Sequence, residues 1–497
     1  MDDEQDSDSL FETPRVRAPE INRPGLTWHN VDTPLSLQDL RGRMVILEFW
    51  TAGCINCLHV LPALRTVEAA YPEEVVVIGV HTPKFSADQD TANLESALAR
   101  LGVAHPVIQD VNFTLWQEYA VRAWPTLVFI GPEGHVMGQM AGEPEPERLL
   151  TAVSELVERW DTQGVLAPRP LNTAPPEPAT GRYAFPAKIA PLSDEPKRWV
   201  LADTGHHQIA VLADDGTEIA RYGSGAPGFA DGAGERARFR APQGLAAADG
   251  IILVADTGNH AIREIDTETG RVGTLAGTGE RGMVVQEAEP GLAAELASPW
   301  DVLLDGDVAY IANAGTHQIL ALDIPGRELS PLAGNGGEDI VDGEAREAQL
   351  AQPSGLALDA STHTLYFVDA ETSAVRAVDL SHRAVTTLVG EGAFVFGDEN
   401  GPFPLARLQH PLDLDVATGE VLVADSYNDR ARVLDLAARR VRDLDDGFAC
   451  DDPAPLAPAQ PAGIHADGPN RVLLVDTTNH RVLAYDLAAR RWSTWAQ

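Results

Sequence analysis

The sequence predicts two folds in one chain, an α/β domain with a central sheet followed by an all-β, six-bladed β-propeller. Between residues 26 and 160, apolar runs alternate with helical patterns, which is typical of an α/β domain. Between residues 182 and 497, one phrase recurs six times, and repeated units must pack on each other to bury their apolar faces. Five prolines in residues 161–181 predict a semi-rigid linker between the two domains.

The N-terminal residues 1–25 are acidic, and they are predicted to form a mobile tail. They contain no apolar stretch typical of a signal peptide, and the chain has no long apolar run, so we expect a cytoplasmic protein that does not span a membrane. The chain carries 74 acidic and 37 basic residues. That charge repels phosphate backbones and anionic lipids, so neither nucleic acids nor membranes are expected partners.

The elements of the α/β domain follow from its apolar pattern. Continuous runs such as MVILEFW are typical of strands that are buried on both faces, and longer stretches between them have helical periodicity. Strands are predicted at residues 44–50, 75–81, 125–130 and 135–141, and helices at residues 54–71, 90–101 and 145–160.

A pair of cysteines lies where the first of these strands meets the first helix. A helix N-terminus stabilises a thiolate through its dipole and its free N–H groups, so Cys54 is predicted to be the attacking thiol. Cys57 lies one helical turn further, close enough to resolve a mixed disulfide. The third cysteine, Cys450, has no partner in the sequence and is predicted to be a packing residue or a surface thiol.

The residues around this pair resemble thioredoxin. Trp50 stands four residues before the first cysteine, Glu48 occupies the place of the buried aspartate, and residues 122–127, RAWPTL, match the segment that carries a cis-proline. The resemblance implies that Trp124 faces the sulfur of Cys54 and that Glu48 accepts the proton of Cys57. It implies the catalytic residues Cys54, Cys57, Glu48 and Pro125, with Pro125 in the cis form, and a substrate groove of Trp50, Trp124, Thr126 and His81.

The propeller is predicted from two elements that recur in register. Each repeat places two short apolar strands around a polar turn, as in LVADTGNHAIREID at residues 253–266, and a Pro-x-x-apolar element precedes it. Radial closure protects the sheet edges of such repeats. The polar turns begin at Asp203, Asp256, Asn313, Asp369, Asp425 and Asp476.

The order of the two domains resembles the NHL repeat-containing protein 2 family. The phrases FWTAGCINCLHVLP at 49–62, WPTLVFIGPEG at 124–134 and DTGNH at 256–260 are similar to that family and occur in its order. The resemblance implies a thiol–disulfide site and a propeller for protein interaction. The basic residues include only three lysines, a coding bias that favours a bacterial origin.

Other chemistries for the cysteine pair find little support in the sequence. Zinc needs two further ligands, and neither a second Cys-x-x-Cys motif nor the nearby His59 supplies them. Covalent haem needs a histidine directly after the second cysteine, where Leu58 stands. A peroxiredoxin motif is matched only in its second half, at residues 51–54, and the loop that activates peroxide is missing. We therefore expect neither a metal nor a cofactor.

Several polar residues have a structural interpretation beside a functional one. His81, Lys84 and Phe85 follow the second strand, and they either flank the cysteines or belong to a capped loop, which we favour. The Asp and Asn residues of the repeats are expected to hydrogen-bond their own turns. Side chains at one turn position point apart around a ring, so we expect no metal site at His207, His260, His317 and His480.

The function predicted from these residues is thiol–disulfide exchange on a protein thiol or disulfide, with a protein partner bound by the propeller. The alternative is a non-enzymatic interaction scaffold, in which the thioredoxin fold is inactive or senses the redox state. A third hypothesis, a propeller that is itself an enzyme, is disfavoured because the repeats offer no evident cluster of convergent acids.

Overall fold

The computed structural model describes residues 16–177, 179–445 and 457–497. The chain divides into two compact units, Met1–Pro178 and Ala179–Gln497. Most of the predicted mobile tail, residues 1–15, lies outside the described residues. So does Cys450, which is predicted to be a packing residue or a surface thiol.

The first unit is a thioredoxin-like α/β domain with one mixed sheet. The strand order is β1-β4-β3-β2-β5-β6, with β2, β3 and β4 parallel and the other pairs antiparallel. The elements are β1 Thr27–His29, β2 Met44–Trp50, α1 Ile55–Ala70, β3 Val75–His81, α2 Thr91–Leu101, β4 Val107–Gln109, α3 Thr114–Glu118, β5 Thr126–Ile130, β6 Val136–Ala141 and α4 Pro146–Thr162.

Strand β2 is the centre of this unit because all seven of its residues are buried. Alternate side chains of a strand point to opposite faces. Val45, Leu47 and Phe49 belong to one apolar cluster, while Met44 and Ile46 pack with side chains of α1 and α4 in another. The strand therefore ends at a fixed position, and the cysteines follow it.

The structure differs from the prediction at both ends of this unit. Within the predicted tail, Ala18 donates its N–H to the carbonyl of Gly134, and Ile21 is fully buried. Within the predicted linker, Ala167 donates its N–H to the carbonyl of Gly42. Charge and proline content describe the average character of these segments. They do not identify the few residues that hydrogen-bond to the rest of the domain.

The second unit is the predicted six-bladed propeller. Each blade is an antiparallel sheet of four strands, and in four blades a two-residue strand is added at the outer edge. The strands of the successive blades are β7 Ile189–Asp194, β8 Lys197–Asp203, β9 Gln208–Ala213, β10 Glu218–Tyr222; β11 Gly232–Ala233, β12 Leu245–Ala248, β13 Ile251–Asp256, β14 Ala261–Asp266, β15 Arg271–Ala276; β16 Glu289–Pro290, β17 Pro299–Asp305, β18 Val308–Asn313, β19 Gln318–Asp323, β20 Glu328–Ala333; β21 Gly343–Glu344, β22 Pro353–Asp359, β23 Thr364–Asp369, β24 Ala374–Asp379, β25 Ala384–Val389; β26 Gly401–Pro402, β27 Asp413–Ala417, β28 Glu420–Asp425, β29 Arg430–Asp435, β30 Arg440–Asp443; and β31 Gly463–Asp467, β32 Arg471–Asp476, β33 Arg481–Asp486, β34 Arg491–Ala496.

The apolar core of the propeller lies between the blades. Each cluster joins the side chains of two neighbouring blades, and the cluster with Trp199 and Leu473 joins the first blade to the last. The ring is therefore closed by the same apolar packing that holds every other pair of blades together.

The recurring turn residues form hydrogen bonds both within their own blade and to the next blade. In all six copies the Asp or Asn anchor accepts an N–H from the chain that leads into its own blade, as Asp256 does from Arg240 at 2.7 Å. The residue four positions after the anchor has a left-handed backbone conformation, and its side chain accepts an N–H from the following blade. These acceptors are His207, His260, His317, Ser373, Asp429 and, toward the first blade, His480.

Replacing His480 with leucine should destabilise the propeller by about 2 kcal/mol, because the buried N–H of Phe185 would lose its acceptor. The matched control is His480→Asn, which keeps an acceptor and a residue that tolerates the left-handed conformation. Thermal unfolding of both variants tests this expectation. Equal stability of the two would show that the bond contributes nothing to ring closure.

Candidate functional site

The two cysteines lie where the sequence predicts, at the start of α1. Cys54 is the N-cap residue, and its Sγ accepts the backbone N–H of Cys57 at 3.4 Å. Both thiols are free, and both belong to an apolar cluster with Trp50 and Leu61. Cys54 is 6% exposed and Cys57 is fully buried. The first thiol is thus nearer to solvent, as the predicted roles of attacking and resolving thiols require.

Glu48 is a fully buried acid on β2. Neither carboxylate oxygen has a hydrogen-bond partner among the described residues. Burial raises the pKa of Glu48 to about 8, the charge of Glu68 adds to the rise, and Arg65 opposes it. Burial also raises the pKa of the Cys57 thiol, with further contributions from Cys54 and from the charge of Glu48. The charge of Glu48 therefore disfavours ionisation of the Cys57 thiol.

Further buried polar atoms gather beside Glu48. Its neighbour in the sheet is Gly79, where a Cβ atom would lie 2.9 Å from Nε1 of Trp50 and 3.6 Å from Nε2 of His105. Neither nitrogen has a hydrogen-bond partner among the residues that the structure describes. On its other side, Nδ1 of His105 lies 3.4 Å from a carboxylate oxygen of the half-buried Glu68. The absence of a side chain at position 79 thus allows the Trp50 and His105 rings to lie close to the strand.

The raised pKa of Glu48 predicts a pH-dependent stability of this unit. Its ordinary pKa is 4.5, and its pKa in the folded protein is about 8. At pH values between these two, the folded protein keeps a proton that the unfolded chain has lost. Stability therefore falls as the pH rises through this window, by about 2 kcal/mol between about pH 6 and pH 8.

The measurement is hydrogen exchange of β2 amides in the wild type and in Glu48→Gln. The variant should lack this part of the pH dependence. His81, whose pKa burial lowers to about 3, acts in the opposite direction but is common to both proteins. Identical pH profiles for the two would contradict the raised pKa.

Three of the four residues predicted to line a groove are buried, and for them the prediction is wrong. Trp50 and His81 are 1% and 0% exposed, and their rings meet edge to face with centroids 5.2 Å apart. Thr126 is also buried, and its hydroxyl donates to the carbonyl of Ala123. The resemblance to thioredoxin aligns these residues along the chain, but their depth depends on packing that the motif does not encode.

The fourth predicted groove residue, Trp124, remains partly exposed beside the cysteines. It packs against the cluster that contains Cys54 and Cys57, and its Nε1 donates to Oγ1 of Thr82 at 2.7 Å. The bond between Trp124 and the buried Pro125 is cis, as the resemblance implies. This segment therefore packs beside the cluster that contains both cysteines.

The loop after β3 supports the turn before Cys54, a role that the sequence does not predict. Asp88 is buried, and its carboxylate accepts the hydroxyl of Thr51 at 3.0 Å and the N–H of Phe85 at 3.3 Å. Lys84 lies over the Phe85 ring, 5.0 Å from its centroid. Asp88 carries no motif, so only the fold shows its position.

On the propeller, the structure brings together a charged cluster at the inner strands. Nζ of Lys188 bonds the buried carboxylates of Asp301 and Asp413, and these charges outweigh burial and raise the pKa of Lys188. The expectation that the repeats hold no convergent acids is therefore wrong. Since each acid is paired with the lysine, the cluster is an ion triad in which every charged group has a partner of opposite charge. Alignment of the six Pro-x-x-apolar elements could have revealed this cluster, because charged residues alternate with glycine at their third position. The residues at that position are Lys188, Gly244, Asp301, Gly355, Asp413 and Gly463.

Two general features bear on cofactors and membranes. Within residues 16–177, 179–445 and 457–497, no group of three His, Cys, Asp or Glu side chains is placed to hold a metal ion. His59, which the zinc hypothesis considered, lies 2.7 Å from a carboxylate oxygen of Glu143. Among the same residues, no helix combines the length and the apolar character needed to cross a bilayer.

Comparison with known families supports both parts of this description. The AhpC/TSA family matches residues 14–139, and the NHL repeat matches residues 239–265. The NHL repeat-containing protein 2 of Gallus gallus is 35% identical over an alignment of 519 residues, gaps included, which covers 96% of this chain and 71% of that protein.

Two other relatives extend the comparison. The protein SUPPRESSOR OF QUENCHING 1, chloroplastic, of Arabidopsis thaliana is 36% identical over 485 residues, which cover 93% of this chain and 46% of that protein. The thiol-disulfide oxidoreductase ResA of Bacillus anthracis is 29% identical over 115 residues, which cover 23% of this chain and 64% of that protein. The first of these similarities spans both units.

Proposed function

Since the chain belongs to the NHL repeat-containing protein 2 family, we propose that it is a thiol–disulfide oxidoreductase whose propeller binds a protein partner. The observation that carries the proposal is the pairing of a helix-capping thiol, Cys54, with a buried thiol and a buried acid of raised pKa. Similarity of the thioredoxin-like unit to ResA, which is named a thiol-disulfide oxidoreductase, supports the same chemistry.

In the proposed reaction with a substrate disulfide, the thiolate of Cys54 attacks one sulfur, and the other leaves as a thiolate. In molecules in which Glu48 has released its own proton, Cys57 then gives its proton to the Glu48 carboxylate and attacks the Cys54 sulfur. The Cys54–Cys57 disulfide forms and the substrate leaves as its second thiolate, so that the substrate gains the two electrons that the cysteines lose. Pro125 and Trp124 form the wall on which the substrate backbone is aligned. The reverse sequence oxidises a substrate dithiol.

Glu48 needs a route by which its proton reaches solvent. We propose that this route passes through His105, whose Nδ1 lies 3.4 Å from a carboxylate oxygen of Glu68 and whose Nε2 lies near Gly79, the neighbour of Glu48 in the sheet. A proton taken at Nε2 is matched by one released from Nδ1 to Glu68, which is partly exposed. His105 is in this scheme a positioning and relay residue rather than a catalytic one.

A trapping experiment tests the function. Reduced Cys57→Ser protein, mixed with glutathione disulfide, should accumulate one glutathione on Cys54, because no resolving thiol can release it. Wild type should instead form the internal disulfide, and Cys54→Ser should form neither. Intact-protein mass spectrometry distinguishes these products. A Cys57→Ser protein that takes up no glutathione would show that Cys54 is not a working nucleophile.

The low exposure of both thiols favours a second candidate function. A site in which Cys54 is only 6% exposed also fits a scaffold whose thioredoxin fold is a docking module and whose cysteines are inert. The distinction is kinetic: a scaffold predicts slow alkylation of both thiols under native conditions, and an oxidoreductase predicts rapid alkylation of Cys54 alone. The cytoplasmic location, the bacterial origin and the expected absence of nucleic-acid partners stay predictions under either function.

A further inference from the structure

Four corresponding loops of the propeller expose large apolar side chains. Each loop leads from the fourth strand of one blade to the short outer strand of the next, and we call them the crown loops: residues 223–231, 277–288, 334–342 and 390–400. Their exposed side chains include Phe229 at 41%, Met283 at 78%, Val341 at 42% and Phe394 at 73%. Recurrence in the corresponding loop of four successive blades distinguishes these residues from singly scattered apolar ones.

The crown loops touch one another and so form one surface. A Cβ atom on Gly279 would lie 2.8 Å from the Phe229 ring, so the first loop packs directly on the second. In the same way Val284 of the second loop contacts Gly336 of the third, and Ile340 of the third contacts Gly390 of the fourth. Glycine at these positions is what allows the neighbouring loop to approach so closely.

Two of the crown loops are also held by buried arginines. Arg263, fully buried, donates to the carbonyl of Ala230 and to the carboxylate of Asp231. Arg376, equally buried, donates to the carbonyl of Val341 and to the carboxylate of Asp342. Because the backbone beside the exposed apolar residues is fixed in advance, a partner would lose little entropy in ordering it.

The crown surface is strongly acidic. Its four loops contain nine acidic residues and one basic residue. Three of the acids pair with buried arginines. Glu391 pairs with Arg407, which lies outside the loops, and Glu338 lies 3.7 Å from Nε2 of His317. These two acids and Glu280, Glu287, Asp339 and Glu399 are exposed. A partner that covers the apolar side chains must therefore bring positive charge to their acidic surroundings.

We propose that the crown loops are a docking surface for a protein segment in which apolar side chains alternate with lysine or arginine. The apolar side chains of the segment cover the exposed residues of the crown, and its basic side chains meet the surrounding carboxylates. The proposal specifies the protein-binding role assigned above to the propeller, and it is independent of the cysteine chemistry.

The test uses the full chain and a fluorescent peptide of alternating arginine and leucine, with binding measured by fluorescence anisotropy. We expect the peptide to bind, and we expect the combined replacement of Phe229, Met283, Val341 and Phe394 by serine to weaken binding at least about tenfold. The matched control replaces Leu292 and Leu405, exposed apolar residues that follow short outer strands, and it should leave affinity unchanged.

Two outcomes would overturn the proposal. One is equal affinity of the crown variant and the wild type, which would assign binding to the overall negative charge alone. The other is tight binding of a peptide in which glutamate replaces arginine, since the acidic surroundings should repel it. Failure of the cysteines to form a disulfide would affect neither result, so the two proposals can fail separately.

Discussion

Replacing Glu48 with glutamine should slow the second step of disulfide exchange by about a hundredfold at neutral pH and leave the first step unchanged. Cys57 is fully buried, and burial raises its pKa, so its proton needs a nearby acceptor before the sulfur can attack. Glutamine has the shape of the acid but cannot accept this proton, and loss of a positioned base commonly reduces a rate by about 10²–10⁴-fold.

Dithiobis-nitrobenzoate separates the two steps, because attack by Cys54 releases one coloured thiolate and attack by Cys57 releases the second. A comparison variant is Glu68→Gln, because Glu68 is a partly exposed carboxylate on α1, the helix of Cys57, and its loss leaves the Glu48 carboxylate in place to take the proton. It should slow the second step far less than Glu48→Gln. Equal second-step rates for the wild type and Glu48→Gln would exclude Glu48 as the base.

Replacing Lys188 with methionine should destabilise the propeller by about 3–5 kcal/mol, the usual effect of removing one partner from a buried ion cluster. Asp301 and Asp413 are 1% and 2% exposed, and without the lysine their charges would be buried without compensation. Each also accepts a backbone N–H from the next blade, from Leu356 and Ile464 respectively. Hydrogen exchange of the inner strands in urea measures the change.

The control for this prediction is the triple variant Lys188→Met, Asp301→Asn and Asp413→Asn. It removes all three charges but keeps an oxygen acceptor for each backbone N–H, so it should recover most of the lost stability. If the triple variant were as unstable as the single one, packing rather than charge would explain the effect.

The sequence predicts the larger elements of the fold because their signals are local. Strand β2 is a continuous apolar run and is buried along its whole length, and the repeats of the propeller occur in register. By contrast β1 and β4 have three residues each, and α3 has five. Such short elements form because a neighbouring strand or helix stabilises them, and no periodic pattern develops within so few residues.

The site is predictable only where a motif carries it. Cys54, Cys57 and Glu48 lie in one strand–turn–helix segment, and their spacing reveals them. His105 and Asp88 come to the site from separate loops, so their role depends on tertiary contacts that one sequence does not display. The triad of Lys188 is an intermediate case, because alignment of the six repeats against each other exposes its alternation with glycine.

The central claim, a working dithiol, is tested most directly by redox titration of the full chain in dithiothreitol buffers, with alkylated thiols counted by mass at each potential. The account predicts a reversible two-electron transition in which Cys54 and Cys57 become inaccessible to alkylation together, and no such transition in Cys54→Ser. If no Cys54–Cys57 disulfide forms at any potential, the oxidoreductase function is excluded and the scaffold function takes its place.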